Sequence, residues 1–446
     1  MSTCLAISMI AASSLAEAGG MVLPVRGVRT LARAGANVAG AGDADALWDN
    51  PAGLAHGAGA NKRSLLFDVG LVYQAVEHTR IDADGNLYET ITNQQPSQVV
   101  PTLAAALGIG DRLVIAGGLS TPYAAVHRYA VDGPQRHASV SLRSSTFVLV
   151  SVGAAYQLTD RLRIGATIQD LFSQLSSGVV MSGCPEAVTC AADDRSYDMP
   201  VQIEQTDYVA LSGSVGVQLD ASDRVTVGLV AQAPTRVSAN GKLAATLPTA
   251  NYFDGAKLVG DDARVSFTLP PTLRAGVETQ ITPALRAEVA LAVELWSMHD
   301  EIAIAPGSIR IEDVAGGPLE LRDVTVPRDY KTSLAPSVGV EWHGPQLMLG
   351  AGYAYETAAA PASTVTVRTV DAAKHLFAIG GGYEADGWQI GAALGFVQLA
   401  DVDVTVVEAA VPALSPLRET PLITGVNAGS YASYYLVGGL RFARRW

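Results

Sequence analysis

From Ser64 onward the chain alternates apolar and polar residues at period two, in paired segments joined by very short turns. Residues 146–170, TFVLVSVGAAYQLTDRLRIGATIQD, are the clearest case. Val148, Val150, Val152, Ala154, Tyr156 and Leu158 share one face, Thr159-Asp160 turns the chain, and Leu162, Ile164, Ala166 and Ile168 continue an apolar face. The opposite face carries Ser151, Gln157, Arg161, Arg163, Thr167 and Gln169. Residues 273–296 repeat the logic, with Leu285, Ala287, Val289, Leu291, Val293 and Leu295 set against Arg286, Glu288, Glu294 and Trp296. The pattern predicts antiparallel hairpins, and by itself it leaves open whether the apolar face points inward or outward.

Three further features favour the outward arrangement. The strands are long, about 12 to 15 residues, where soluble strands average about 5 to 6. Short turns (LGIGDR, LTDR, LDASDR, ITPA, HGPQ, EADG) alternate with polar loops of roughly 12 to 35 residues, the asymmetry of outer-membrane barrels. The chain closes on YASYYLVGGLRFARRW, with Tyr434, Leu436, Gly438, Leu440, Phe442 and Trp446 on one face and Arg444 interrupting it. That terminal aromatic strand resembles the signal by which bacterial outer-membrane barrels are recognised, which makes the barrel assembly machinery an expected partner.

The hairpin count predicts an all-β fold, a transmembrane antiparallel β-barrel of about 14 strands. Their predicted starts fall near residues 64, 98, 111, 144, 161, 206, 223, 264, 285, 330, 346, 372, 388 and 429. A barrel of that size is too wide for its own side chains to fill. Residues 19–62 are the substantial segment without strand periodicity, so they are predicted to form a plug, or hatch, ahead of a barrel at 63–446. Within it, AGDADALWDNPAGLA (41–55) reads as two short capped turns. Asp43 is placed to cap a helical turn through Trp48, and Asn50 to cap a second with Pro51 in the first helical position.

Composition narrows the function classes. Of 446 residues, 49% are hydrophobic and only 16% charged; Gly numbers 44, and 43 acidic residues outnumber 30 Lys+Arg for a net charge of -13. That acidity argues against nucleic acid as a partner. After residue 20 there is no uncharged apolar run of about 18 residues or more, so helical membrane spans are not expected. Residues 1–18, MSTCLAISMIAASSLAEA, end in an A-x-A pattern suited to signal peptidase, although no Lys or Arg precedes the apolar stretch; the alternative is a disordered apolar tail. Cys4 would leave with the leader. Cys184 and Cys190, close together in the polar loop SGCPEAVTCAADD, most simply form a disulfide, since two thiolates with no neighbouring histidine are too few for a metal site.

The segment VRGVRTLARAGANVAGAGDADALWDNPAGLA, above all Trp48-x-Asn50-Pro51-Ala52-Gly53-Leu54-Ala55, resembles the hatch of the FadL/TodX family of outer-membrane transporters for hydrophobic compounds. A weaker likeness extends through TLPPTLRAGVETQ and VELWS to the closing strand. The resemblance implies a 14-stranded barrel with an N-terminal hatch. It implies passive uptake of long-chain fatty acids or aromatic hydrocarbons, and sideways release into outer-membrane lipid where the third strand is kinked. Trp48, Asn50, Pro51 and Ala52 match the hatch motif, with an expected role in fixing plug geometry.

The candidate third strand, RLVIAGGLSTPYAAV, contains Gly117, Gly118 and Pro122, which weaken a strand and remove a ladder donor, so the kink and lateral opening are expected there. The competing reading is that the glycines only accommodate curvature and Pro122 ends the strand. Among inward charges, Arg163, Arg274 and Arg286 are candidates to bind a carboxylate. The simpler reading, since charged barrel interiors are ordinary, is that they pair with Glu278, Glu288, Glu294 or the hatch. No catalytic motif occurs, the seven histidines are scattered, and Asp82-Ala83-Asp84-Gly85-Asn86 departs from a calcium loop at Leu87 and Asn93. No enzyme activity, cofactor or metal is therefore expected. Two alternatives to uptake remain: a structural or secretion-linked partner protein on the same barrel, and a lipid hydrolase.

Overall fold

The computed structural model describes residues 27–122, 126–191, 193–422 and 424–446. The leader expected at 1–18 lies outside them. Fourteen strands make one closed antiparallel barrel. They are β1 (Arg63–Arg80), β2 (Ser97–Ile109), β3 (Leu113–Ser120), β4 (Ser141–Gln157), β5 (Leu162–Ser182), β6 (Leu211–Ser222) and β7 (Val225–Gln232), followed by β8 (Thr272–Thr282), β9 (Leu285–Glu294), β10 (Ser333–His343), β11 (Leu347–Glu356), β12 (Lys374–Ala385), β13 (Trp388–Leu399) and β14 (Gly429–Arg445). Each pairs with the next. The wall closes through a β1–β14 ladder running from Ser64↔Arg445 to Arg80↔Gly429.

The alternation resolves with its apolar face outward. On β1, Leu65, Phe67, Val69 and Leu71 are 37% to 51% exposed, while Leu66, Asp68 and Val72 between them are buried against the contents of the barrel. On β4 and β5, Val152 and Ile168 project outward and Ser151, Arg163, Thr167 and Gln169 are buried inside. This is the inverse of a soluble sandwich, and it suits a hydrocarbon surround. Arg444, which interrupts the closing strand's apolar face, lies over the Trp388 ring at 4.3 Å, so its charge sits at the aromatic rim beside the short turns.

Two of the predicted strand starts are displaced. The strand expected near 264 begins at Thr272, and the one expected near 206 begins at Leu211. Residues 262–269 and 198–207 are strands of a different body, a sheet that continues from the upper part of β5 through Asp198–Asp207, Thr235–Ala245, Asp262–Leu269, Glu301–Ala305 and Val324–Pro327. Pro270 and Pro271 separate Asp262–Leu269 from β8 because neither can donate to a ladder. The long loops therefore bring apolar residues, including Ile203, Val237, Leu243, Phe253, Val265 and Phe267, into a core continuous with Leu47, Trp48 and Leu54 of the hatch. Cys184 and Cys190 are disulfide-bonded in the β5–β6 connection, with Cα atoms 6.3 Å apart.

Inside the barrel lie α1 (Val28–Ala32), α2 (Ala46–Asp49) and a 3₁₀ turn, Pro51–Gly57. Asn50 caps that turn, its side chain accepting from Ala52 N at 3.1 Å. Asp43 does not cap α2, which starts after Asp45 without any side-chain cap; its carboxylate pairs with Arg445 instead. Helices this short have little stability in water and depend on the wall around them.

The wall is shaped to receive them. A Cβ added at Gly216 on β6 would lie 2.1 Å from the Asn50 side-chain oxygen, and one at Gly165 on β5 would lie 2.3 Å from the Pro51 carbonyl carbon. Glycine there lets hatch backbone rest directly on strand backbone. Gly216→Val is accordingly expected to weaken hatch docking by about 1–3 kcal/mol. Limited proteolysis in detergent checks this: cleavage within the hatch should accelerate while the barrel stays intact, and an unchanged rate would refute the close approach.

Candidate functional site

The Trp48–Ala55 motif locks the hatch at two points. The Asn50 amide donates to Val38 O in the hatch at 2.9 Å and to Val217 O of β6 at 3.1 Å, while its oxygen caps the following turn. Trp48 is buried, and its indole N–H donates to Ser151 Oγ on β4 at 3.0 Å. A Cβ at Gly118 on β3 would stand 2.8 Å from the same indole ring. The hatch motif and the glycine pair of the third strand, which sequence reading treated separately, thus meet at one spot. Pro51 and Ala52 pack on β5 at Gly165.

Buried charge completes the attachment. Arg29 donates from Nε and Nη2 to Glu341 of β10 at 2.8 and 3.0 Å. Arg33 reaches Glu278 of β8 at 2.6 Å and Glu288 of β9 at 3.1 Å. Glu288 also accepts the backbone N–H groups of Val38, Ala39 and Gly40 at 2.7 to 2.9 Å. Arg441 of β14 bridges Asp68 of β1 and Asp45 of the hatch at 2.7 and 2.8 Å. In a water-poor interior, removing one member of such a pair strands the other charge at a cost of about 3–5 kcal/mol, so the network sets the plug's position firmly.

The three arginines singled out in the sequence are not gathered into one site. Arg163 is held by Asp220 of β6 at 2.6 Å. Arg274 donates to Trp48 O at 2.6 Å and supports the hatch. Arg286 is half-exposed on the short-turn side, 3.9 Å from Glu278. Sequence reading missed Arg29, Arg33 and Arg441; their partners lie hundreds of residues away, and the only available signal was an inward-phased charge on a strand.

The hatch divides the lumen. On the short-turn side is an open cavity of 810 Å³ with a charged lining that includes Lys62, Arg63, Asp223, Arg224, Arg286 and Arg445. On the loop side, between α1 and β8–β13, a cavity of 110 Å³ is lined by Ala34, Val38, Ala290, Leu376 and Val397, with Arg274 and Lys374 among its polar groups. Lys374 is paired with Glu356 at 3.2 Å. A third space of 40 Å³ lies between α1 and the wall, lined by Val28, Leu31, Val100 and Val437, with Ser120 and Thr121 at its edge.

That edge is where the wall is interrupted. The β3 ladders end at Thr102↔Ser120 and Ser120↔Leu149; among the described residues that follow, Thr121, Pro122 and Val126 stand outside any ladder, and His127↔Leu142 pairs with β4 again. Pro122 lies within the interruption. From Ser120 to His127 and from Leu149 back to Leu142 the two chains advance by the same number of residues, so register is retained across the break. The eight residues of β3 rise about 27 Å along the strand, less after tilt, which leaves the break beside an apolar band about 25 Å tall. Val99 and Leu103 of β2 and Leu119 of β3 face outward there.

A closed, plugged barrel with a lipid-facing apolar exterior is an outer-membrane channel. The chain belongs to the outer membrane protein transport protein (OMPP1/FadL/TodX) family, whose pattern matches residues 9–429. No curated protein matches it in sequence. Among solved structures it is similar to a Pseudomonas aeruginosa FadL homologue, with a TM-score of 0.76 and 15% identity over 95% of this chain and 99% of that one. It is also similar to the Pseudomonas putida toluene transporter TodX, with a TM-score of 0.66 and 16% identity over 97% and 99% of the two chains. The monoaromatic hydrocarbon channel CymD matches at a TM-score of 0.63 and 14% identity, over 95% and 97%.

One hatch group gives the attachment a pH dependence. Asp49 is buried, accepting from Thr30 Oγ1 at 2.5 Å and Asn37 Nδ2 at 2.7 Å; burial first, and then the charge of Asp45, push its carboxyl up from 3.8 to about 6. A carboxyl raised in the docked state favours docking while protonated. Its contribution is full below the undocked value and is lost as pH rises through the interval between about 4 and about 6. Hatch protection from protease, followed from pH about 4 to about 7, is therefore expected to fall across that interval in the wild type and to be flatter in Asp49→Asn. Equal slopes in the two proteins would contradict the assignment.

Proposed function

We propose that this protein is a passive outer-membrane uptake channel for hydrophobic small molecules, long-chain fatty acids or aromatic hydrocarbons, which leave sideways into the bilayer through the interruption of β3. The observation that carries the reading is the position of that break. It adjoins the cavity lined by Val28, Leu31, Val100 and Val437 and lies beside the outward apolar band.

Elementary solvation supports this route over one through the lumen. Each CH₂ returned to water forfeits about 0.8 kcal/mol, and the space beyond the hatch is wide, charged and open. An apolar cargo moving between hatch and wall meets valine and leucine and then lipid. Backbone outside a ladder, as at Thr121 and Pro122, is expensive in hydrocarbon, where it has no water to bond, so its presence calls for a functional reason. TodX, a toluene transporter, and CymD, a monoaromatic hydrocarbon channel, agree in cargo class.

The test closes the break. A Cβ at Gly117 meets nothing nearer than Ser151 O at 3.6 Å, whereas one at Gly118 strikes Trp48 and the Leu103 backbone. Gly117→Val with Pro122→Val therefore restores strand propensity and a ladder donor without disturbing the hatch. Uptake of radiolabelled palmitate and of toluene into liposomes is expected to fall at least about tenfold in this variant, equivalent to a barrier raised by about 1.4 kcal/mol. Uptake at the wild-type rate would exclude the lateral route.

A further inference from the structure

Four of the long loops converge on a pair of arginines that no carboxylate among the described residues neutralises. Arg328, just after Val324–Pro327 in the β9–β10 connection, is 2% exposed. Its Nη1 donates to Thr369 Oγ1 at 3.1 Å and to Tyr330 Oη at 3.3 Å, and its guanidinium lies 5.7 Å from the Tyr330 ring centre. Its Nε and Nη2 are buried and find no hydrogen-bond partner among the described residues. Arg368, in the β11–β12 connection, donates from Nη2 to Ser177 Oγ at 3.1 Å. Both line one small space of 20 Å³, Arg328 buried and Arg368 half-buried, whose other walls include His137, Ala138, Val326, Val411 and Leu414.

Every other buried arginine cluster described above, on the hatch and at its wall contacts, is matched by Asp or Glu. Two like charges in a dry pocket are costly unless something compensates them, and a guanidinium leaves N–H donors pointing at the space where the compensation belongs. The surroundings register the excess of positive charge. Burial and the field of Arg328 lower the Arg368 guanidinium to about 10, burial and Arg368 lower His127 to about 3, and burial and Arg328 lower His299 to about 4. A water molecule fits a space of this size but supplies no charge.

We infer that the Arg328–Arg368 pocket is a binding site for one compact monovalent inorganic anion of about the size of chloride. Charge-assisted N–H donors from Arg328 Nε and Nη2 supply its recognition, and the apolar walls exclude a bulkier or doubly charged ion. The site draws on the β3–β4, β9–β10, β11–β12 and β13–β14 connections, so the bound anion ties together the loops that cap the barrel. This inference stands apart from the cargo reading, since the pocket lacks room for an alkyl chain.

Thermal unfolding of the full-length barrel in detergent, in sodium bromide against sodium gluconate at equal ionic strength, tests it. The melting temperature is expected to be higher in bromide, and the difference to vanish in Arg328→Met with Arg368→Met. Equal melting temperatures in the two salts, or a bromide shift that survives in the double variant, would overturn the proposal. Should the variant fail to fold, wild-type crystals soaked in bromide decide: an anomalous peak between the two guanidinium groups supports the site, and its absence rejects it.

Discussion

A backbone that crosses hydrocarbon has no solvent for its N–H and C=O groups, so each must be paired within the sheet. That constraint explains the closure of β14 onto β1, the outward turn of the apolar face and the confinement of irregular chain to the lumen and the loops. It also gives weight to the end of β3, where the ladder with β4 stops at Ser120, Thr121 and Pro122 stand outside it, and pairing is present again at His127↔Leu142.

The hatch is the second half of the same argument. Its helices are four and five residues long and cannot hold their shape alone. They are held by charge reaching inward from the wall, by Glu278, Glu288 and Glu341 on one side and Arg441 on the other, and by glycines that let backbone meet backbone. Trp48 connects the two halves, resting on Gly118 just below the interruption while bonding Ser151 of the next strand. The plug therefore blocks the charged lower cavity and at the same time props the wall where it is weakest.

Much of this was legible in the sequence, for identifiable reasons. The lower part of β5 declares itself because period-two alternation is imposed there by a lipid face. The Asn50 cap was legible because Asn-Pro carries its own local chemistry. The placement of β8 was not, since the loop strand Asp262–Leu269 alternates just as a barrel strand does while packing against other loops, and only Pro270-Pro271 marks the change. The ion pairs were not legible either: alternation assigns Glu288 and Arg441 to the inner face but says nothing of Arg33 or Asp45 as their partners. Pro122 was legible as a residue that cannot donate to a ladder, whereas the return of pairing at His127↔Leu142 is a property of two strands together.

The central claim is that cargo passes between hatch and wall and leaves through the side. Photo-crosslinking with a diazirine-bearing hydrocarbon in native-like membranes, followed by mass-spectrometric mapping of labelled residues, tests it most directly. The account predicts labels on Val28, Leu31, Val100 and Val437 and at the Ser120–Thr121 edge. Labels concentrated instead on Leu54, Val114 and Met348, around the lower cavity, would mean that cargo crosses the hatch into the periplasm and would contradict it.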